Sequence, residues 1–168
     1  FKSASISNNY KNSVIAIGNF DGVHIGHKKV LNAAFKKAKK MKKKFGLLTF
    51  EPVPVMFFNK QILNHRLDTL PQKISSLKKE KLDFVIIQKF NKKFSKLSYK
   101  DFIYKILYKK IKCKYLYVSK NFKFGNKREG NISKLKKLEK KFLYKTIITP
   151  PLKKKKKTIS STIIRKLL

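Results

Sequence analysis

The sequence has one cysteine, no tryptophan, six glycines and only eight acidic residues among 168. The single thiol, Cys113, excludes an intramolecular disulfide and is typical of a protein from a reducing cytoplasm. No apolar run approaches the roughly 20 residues that a membrane-spanning helix requires. We therefore expect a cytoplasmic protein with no membrane partner.

The shortage of acidic residues leaves a net charge of +36, because 44 residues are lysine or arginine. Such a charge ordinarily indicates nucleic acid or an anionic surface as partner. Only Arg66, Arg128 and Arg165 are arginines, however, and arginine is the usual residue for bidentate base and phosphate contacts. Lysine is spread over nearly every predicted exposed face, which is typical of a genome rich in A and T. We predict no specific nucleic-acid partner; a polycation that binds nucleic acid through lysine alone is the alternative.

Five short apolar runs have β-strand composition, and helical patterns separate them. The predicted strands are Val14–Ile17, Phe45–Phe50, Phe84–Ile87, Tyr115–Val118 and Lys145–Thr149. The predicted helices are Lys28–Lys44, Leu70–Lys81, Ser98–Ile111, Ile132–Lys141 and Ser160–Leu168. This alternation predicts one α/β domain over residues 1–168, Rossmann-like and doubly wound, with a mostly parallel sheet. Ligands of such sheets bind beyond the carboxyl ends of the strands, where the strand order reverses.

The segment after the first predicted strand is the most informative part of the chain. It reads Gly18-Asn19-Phe20-Asp21-Gly22-Val23-His24-Ile25-Gly26-His27, with two of the three histidines between a strand and a helix. Backbone N–H groups, a helix N-terminus and two imidazoles together favour an anionic phosphate. Neither P-loop nor Rossmann glycine spacing is present. We predict a phosphate site; a structural turn with incidental histidines is the alternative.

The loop after the second predicted strand is rich in proline and phenylalanine. It reads Thr49-Phe50-Glu51-Pro52-Val53-Pro54, and Phe57-Phe58 follow. Two alternating prolines predict a stiff extended wall, against which a planar aromatic ligand can stack. The alternative is a rigid loop whose phenylalanines pack on the core.

Two later loops also combine stacking, amide and cationic groups. Asn121-Phe122-Lys123-Phe124-Gly125 follows the fourth predicted strand, and Arg128 either pairs with a phosphate or is a solvated arginine. Ser160-Ser161-Thr162 opens the last predicted helix with Arg165 one turn inside, as a phosphate clamp or as ordinary caps. The run Lys153–Lys157 between them is interpreted as a solvated loop, with screening of triphosphate charge as the alternative.

Taken in order, these segments resemble the FMN adenylyltransferase module of the prokaryotic bifunctional riboflavin kinase/FAD synthetase family. The resemblance covers nearly all of residues 13–168. It includes the Asn-Phe-Asp-Gly-Val-His-x-Gly-His turn, the Thr-Phe-Glu-Pro loop, Arg66-Leu67 with Thr69–Lys73, Asp83-Phe84-Val85, Phe90 through Phe94 to Leu97-Ser98, the Asn-Phe-Lys-Phe-Gly loop and Ser-Ser-Thr-x-x-Arg. The chain departs from the family pattern at Val53, Ser119 and Asn131, where His, Gly and Asp are common.

The resemblance implies that the adenylyl group of ATP is transferred to FMN, giving FAD and pyrophosphate, with Mg²⁺ bound to ATP and no directly ligating protein side chain. The implied catalytic residues are His24, His27 and Arg165. The implied ATP-binding residues are Gly18, Asn19, Phe20, Asp21, Gly26, Ser160, Ser161 and Thr162. The implied FMN-binding residues are Phe50, Pro52, Pro54, Phe58, Asn121, Phe124 and Arg128. Family members usually continue into a riboflavin kinase domain, which we do not expect within these residues. A nucleotidyltransferase for another small phosphate acceptor, such as pantetheine-phosphate, is the alternative.

Overall fold

Five parallel strands in the order β3-β2-β1-β4-β5 form the central sheet of the computed structural model. The structure describes residues 6–59 and 67–150, together with the backbone of Lys153–Lys154 and Lys157–Thr158. The strands are β1 (Val14–Ile17), β2 (Phe45–Glu51), β3 (Phe84–Lys89), β4 (Tyr115–Ser119) and β5 (Lys145–Thr149). All four neighbouring pairs are parallel. The Rossmann-like, doubly wound α/β fold is therefore confirmed.

Helices connect the strands. They are α1 (Ile25–Lys40), α2 (Pro54–Phe58), α3 (Leu70–Lys78), α4 (Lys92–Ser95), α5 (Tyr99–Asp101), α6 (Ile132–Lys137) and α7 (Glu139–Phe142). The backbone of α5 continues directly into a π-helix over Phe102–Ile111, so the helix predicted over Ser98–Ile111 changes its hydrogen-bond pattern after one turn. The helix predicted over Ile132–Lys141 is interrupted at Leu138, where α6 ends and α7 begins.

Three other sequence-based predictions need comment. The stiff extended wall predicted after β2 is wrong beyond Val53, because Pro54 opens the short helix α2, where a missing N–H and a preset φ are tolerated. The loop predicted at Lys153–Lys157 is also wrong for the backbone, since Lys153–Lys154 pairs antiparallel with Lys157–Thr158. The predicted helix Ser160–Leu168 lies outside the described residues.

Apolar clusters cover both faces of the sheet. Alternate residues of β1 point to opposite faces, so that Val14 and Ala16 join one cluster while Ile15 and Ile17 join the other. We call these the α1 face, where Leu31 and Ala34 of α1 pack, and the π-helix face, where the π-helix packs. Because both faces are covered, the strands read as continuous apolar runs.

The strand order reverses at β1, which lies between β2 and β4. The chain leaves β1 toward α1 and leaves β4 through the loop at 120–131, so these two segments meet at the carboxyl edge of the sheet. This is the place where ligands of open α/β sheets bind. In the part of the chain that the structure describes, no helix is both long and apolar enough to cross a membrane.

Candidate functional site

His24 ends the turn after β1 and caps helix α1. Its Nδ1 accepts hydrogen bonds from the backbone N–H groups of Gly26 at 3.1 Å and His27 at 3.4 Å. Because Nδ1 accepts, the proton of the neutral ring lies on Nε2. His24 therefore combines a structural cap with an Nε2–H donor at the N-terminus of a helix. This cap also explains why α1 begins at Ile25, three residues before the predicted start.

His27 has the opposite tautomer. Its Nδ1 lies 3.2 Å from the carbonyl oxygen of Gly22, to which it donates, and the neutral ring therefore has an acceptor at Nε2. The two imidazoles are stacked with their centroids 3.8 Å apart, and the ring of Phe20 lies 5.0 Å from that of His27. The histidine pair is a packed unit of two rings held in defined orientations.

Burial lowers the pKa of both histidines. For His27, burial and then the neighbouring His24 lower the pKa to about 4, against the opposing effects of the Gly22 carbonyl and Asp21. For His24, burial alone lowers the pKa. Both rings are uncharged at pH 7. They therefore offer directed hydrogen bonds to a phosphate, and the helix N-terminus supplies the positive potential.

The turn is fastened to the segment that precedes α3. The buried carboxylate of Asp21 accepts hydrogen bonds from the backbone N–H groups of Leu67 at 3.0 Å and Asp68 at 3.2 Å. Asp68 in return accepts from the N–H of Gly22 at 3.1 Å. Gly22 has a φ of +60°, and a Cβ there would lie 2.7 Å from Leu67 Cδ1. These contacts give the Asp21 carboxylate a positioning role in the turn, and its predicted contact with ATP stays a prediction.

The other ATP candidates divide by location. Gly18 and Asn19 lie at the carboxyl end of β1 and line a cavity of about 530 Å³. Gly26 lies in the first turn of α1 and donates to His24. Phe20 is buried on the α1 face, so its ring packs against the core. ATP binding at these residues stays a prediction.

The same cavity collects most of the residues predicted to bind FMN. Six of the seven line it: Phe50, Pro54, Phe58, Asn121, Phe124 and Arg128. Pro52, which follows a cis peptide bond, is not among its lining residues. Four further aromatic residues of the lining were not among the residues predicted to bind FMN, namely Phe90, Phe94, Phe102 and Phe122. The segment from Phe90 to Phe94 matches the family pattern, and this match could have indicated that its two phenylalanines line the site.

The aromatic side chains of the lining differ in exposure. Phe50 and Phe124 are buried in the π-helix face, so only part of each ring borders the cavity. Phe58 is 67% exposed, and its ring makes edge-to-face contacts with Phe57 and Phe90, whose centroids lie 5.2 Å and 5.8 Å away. The alternative interpretation of the loop after β2, in which its phenylalanines only pack on the core, is therefore wrong for Phe58.

The loop after β4 is held against the start of α5. The N–H of Asn126 donates to the carbonyl of Leu97 at 2.7 Å, and the carboxylate of Glu129 accepts from the N–H of Tyr99 at 2.8 Å. Between these contacts Lys127 and Arg128 have φ values of +48° and +60°, which non-glycine residues rarely adopt. The two residues border the cavity from a constrained turn.

The three departures from the family pattern have structural places. Val53 is buried at the N-cap position of α2. Ser119 is the last residue of β4 and lines the cavity. Asn131 caps α6, since its side chain accepts from the N–H of Lys134 at 3.0 Å, a role that Asp would fill equally.

Part of the predicted phosphate clamp lies outside the described residues. Ser160, Ser161, Thr162 and Arg165 lie outside the described residues, as does Arg66. Within the described ranges, no group of three or more His, Cys, Asp or Glu side chains is arranged to hold a metal ion. Cys113 is buried, and burial raises the pKa of its thiol to about 12, which suits a packing role.

Comparison with known proteins gives a consistent family. The sequence profile of the family described as FAD synthetase matches residues 6–163. The chain is 44% identical over 158 residues to a bifunctional riboflavin kinase/FMN adenylyltransferase of Buchnera aphidicola (subspecies Schizaphis graminum), covering 94% of this chain and 51% of that protein. It is 32% identical over 155 residues to the protein of that description from Escherichia coli K12, covering 92% and 50%.

A solved structure shares the fold. The crystal structure described as a macrolide-efflux protein from Streptococcus pneumoniae superposes with a TM-score of 0.81 at 26% identity, over 93% of this chain and 50% of that one. The chain thus spans about half the length of the curated relatives and of the solved structure that it matches.

Proposed function

The chain belongs to the FAD synthetase family, and from that premise we propose that it transfers the adenylyl group of ATP to FMN, giving FAD and pyrophosphate. The observation that carries the proposal is the junction at Gly18 and Asn19. These residues line the aromatic cavity and also begin the turn that ends in the histidine pair. A flat acceptor and a nucleotide phosphate would therefore meet at the carboxyl end of β1.

The cavity suits the isoalloxazine ring of a flavin. Its volume of about 530 Å³ lies within the range of small-molecule sites, roughly 300–1,000 Å³. Phe58 offers an exposed aromatic face, and Asn121 offers an amide for the polar ring edge. The guanidinium of Arg128 has the charge and geometry to pair with the terminal phosphate of FMN.

The reaction is an in-line displacement. An oxygen of the FMN phosphate forms a bond to the α-phosphorus of ATP, while the bond from that phosphorus to the bridging oxygen breaks and pyrophosphate leaves. The protein needs to position the two phosphates and stabilise developing charge, with no covalent intermediate. We assign the Nε2–H of His24 and the N-terminus of α1 to the phosphates of ATP. His27 holds the turn through Gly22 and packs against the His24 ring.

The remaining members of the proposed nucleotide site come from the sequence. Ser160, Ser161, Thr162 and Arg165 would bind the β- and γ-phosphates of ATP. Asp21 is engaged with two backbone N–H groups, so Mg²⁺ would be held by ATP phosphates and water, as that ion prefers. When bound, Mg²⁺ neutralises part of the phosphate charge.

The proposal also places the chain in a reaction sequence. FMN is the phosphorylated form of riboflavin, and the relatives are named for both riboflavin kinase and FMN adenylyltransferase activities. We infer that a riboflavin kinase activity supplies the acceptor. We infer a cytoplasmic location, because the cytoplasm supplies ATP and its reducing conditions suit the single free thiol, Cys113.

Flavin binding separates the proposal from its alternatives. We expect FMN fluorescence to be quenched on titration with the protein in the absence of ATP and Mg²⁺, so that no FAD forms during the titration. A pantetheine-phosphate competitor should not reverse the quenching. If pantetheine-phosphate binds and FMN does not, the acceptor is wrong. If only nucleic acid binds, with an affinity that falls steeply with salt, the chain is a polycation.

A further inference from the structure

Lys73 is the only buried lysine among the residues that the structure describes. It is 3% exposed, whereas the other described lysines are half-buried or exposed. Lys73 lies on α3, one turn before Leu77, and residues four apart share a helix face. Leu77 packs in the α1-face cluster together with Phe20, whose ring contacts His27. The side chain of Lys73 therefore enters the interior on the side of the sheet that holds the histidine pair.

Helix α3 is fixed relative to the histidine turn. Hydrogen bonds join Asp21 to the N–H groups of Leu67 and Asp68, and join Asp68 to the N–H of Gly22. A capping box between Thr69 and Gln72 then fixes the first turn of α3. Lys73 follows directly, so its position is set by the contacts that set the turn.

Three charged or titratable groups act on His27. They are His24 in the turn, Asp21 before it and Lys73 from α3. Lys73 is close enough for its charge to lower the pKa of His27, while Asp21 raises it. Because both histidines are uncharged at pH 7, they bring no full positive charge to the phosphates.

A buried lysine differs from a surface lysine in its effect on a site. Surface charges act through water and salt, which screen them within about 10 Å at ordinary ionic strength. A charge inside the protein is screened far less, so a buried ammonium acts on a neighbouring group more strongly than an exposed one at the same distance. The remaining positive potential at the turn comes from the N-terminus of α1, equivalent to about half a charge.

We propose that Lys73 is a positioning residue of the adenylyl-transfer site: from behind the histidine pair it supplies the fixed positive charge on that side of the bound ATP phosphates. The expected effect of Lys73 on turnover rests on the proposed function. Its structural content, the effect of the Lys73 charge on His27, is independent of that function. Asp21 acts on His27 in the opposite sense, so the two charges offset each other in part at that ring.

The test replaces Lys73 by methionine, which keeps the length of the side chain and removes its charge. Lys78→Met is the matched control, since it removes one charge from an exposed position of the same helix. The pKa of His27 is measured by NMR titration of its ring protons in wild type and both variants. FAD formation from ATP and FMN is measured with the same three proteins.

We expect Lys73→Met to raise the pKa of His27 and to lower the turnover number by about 10-fold. This loss is smaller than the roughly 100-fold loss for a direct transition-state donor. The KM for FMN should change little, and Lys78→Met should behave as wild type. Lys73→Arg, which restores the charge, should recover part of the turnover and a low pKa of His27. If Lys73→Met is too unstable to assay, Lys73→Gln takes its place.

The proposal is overturned if the pKa of His27 is the same in Lys73→Met and Lys78→Met. It is equally overturned if turnover is unchanged, or if Lys73→Arg loses as much turnover as Lys73→Met. A wild-type protein that makes no FAD would contradict the proposed function, while the NMR comparison would still decide the electrostatic part of this inference.

Discussion

At the scale of single residues, His24 has two roles that one substitution can separate. Its Nδ1 caps α1, and its Nε2–H is the donor that we assign to ATP. Asparagine is a good N-cap residue with no equivalent of the imidazole Nε2–H. His24→Asn should therefore keep the thermal stability of the protein and lower the turnover number by about 100-fold, the usual loss for one transition-state donor.

His24→Ala is the control for this separation. It removes both the cap and the donor, so it should lose a similar turnover and also about 1 kcal/mol of stability. Turnover is measured as FAD formed per enzyme, and stability by denaturant unfolding. If His24→Asn retains wild-type turnover, the imidazole is only a cap.

His27 makes stability depend on pH in a specific window. The folded protein holds His27 with a pKa of about 4, and an unfolded histidine has a pKa near 6.5. Between these values the unfolded chain binds a proton at His27 that the folded protein does not bind. The free energy of unfolding should therefore fall as pH falls from about 6.5 to 4, by up to about 3 kcal/mol at 1.36 kcal/mol per unit.

The contribution of His27 is isolated by comparison with His27→Gln. Urea unfolding of both proteins at pH 7.5, 6, 5 and 4 gives the difference in stability at each pH. That difference should shrink toward pH 4, because the titrating group is absent from the variant. A difference that stays constant with pH would show that His27 titrates normally in the folded protein.

At the scale of secondary-structure elements, α2 presents Phe58 to the cavity. The side chain is 67% exposed and contributes little to the core, but its ring borders the proposed flavin site. Phe58→Ala should raise the KM for FMN by about 10-fold, since loss of a stacking contact of about 1.4 kcal/mol corresponds to that factor. The KM for ATP and the melting temperature should change little.

Leu143 provides a matched control for Phe58. It is also 67% exposed but follows α7 and does not line the cavity. Leu143→Ala should leave both KM values at the wild-type level. Equal effects of the two substitutions on the KM for FMN would remove Phe58 from the acceptor site.

The elements that sequence predicts well are those that local pattern determines. All five strands were predicted, because strands covered on both faces are apolar runs. Thr69 begins α3 through a standard cap, and that helix was predicted from its start. By contrast, α1 begins with a histidine cap, which is not a usual start signal, and its first turn was missed. The short helix α2 was missed because two alternating prolines indicate extended chain.

The parts of the site that sequence did not predict depend on long-range contacts. The hydrogen bonds between Asp21 and the segment at Leu67 join residues 46 positions apart, so no local pattern contains them. The low pKa of His27 depends first on burial and then on His24, with a smaller effect of Lys73, and the fold brings these groups together. Sequence therefore pointed to the two histidines and to most of the residues that line the cavity, whereas the long-range contacts of Asp21 and the burial of Lys73 became visible only in the fold.

At the scale of the whole molecule, the net charge of +36 destabilises the folded state, because like charges repel one another in the compact chain. The ion pairs within the described residues involve lysines that are mostly exposed, such as Lys44 with Asp83 and Lys105 with Asp101. Pairs of this kind contribute about 0–1 kcal/mol. Repulsion among lysines should therefore exceed attraction within pairs at low salt.

Raising the NaCl concentration from about 0.02 M to about 0.5 M should accordingly stabilise the protein. The screening length is about 10 Å at 0.1 M, and it is longer at the lower concentration and shorter at the higher one. A gain of about 1 kcal/mol would raise Tm by roughly 2–4 °C for a chain of this length. Calorimetry in NaCl and in KCl of equal ionic strength tests whether screening is the cause, since both salts should act alike. A Tm that falls with salt would show that the ion pairs outweigh the repulsion.

We propose that this fold joins ATP to FMN at the carboxyl end of β1. The most direct measurement incubates the chain with FMN, ATP and Mg²⁺ and follows FAD and pyrophosphate by chromatography, with His24→Asn as the low-turnover comparison. We expect equal amounts of FAD and pyrophosphate, and no dinucleotide when riboflavin replaces FMN, because riboflavin lacks the attacking phosphate. Folded protein that binds ATP and FMN but forms neither product would contradict it.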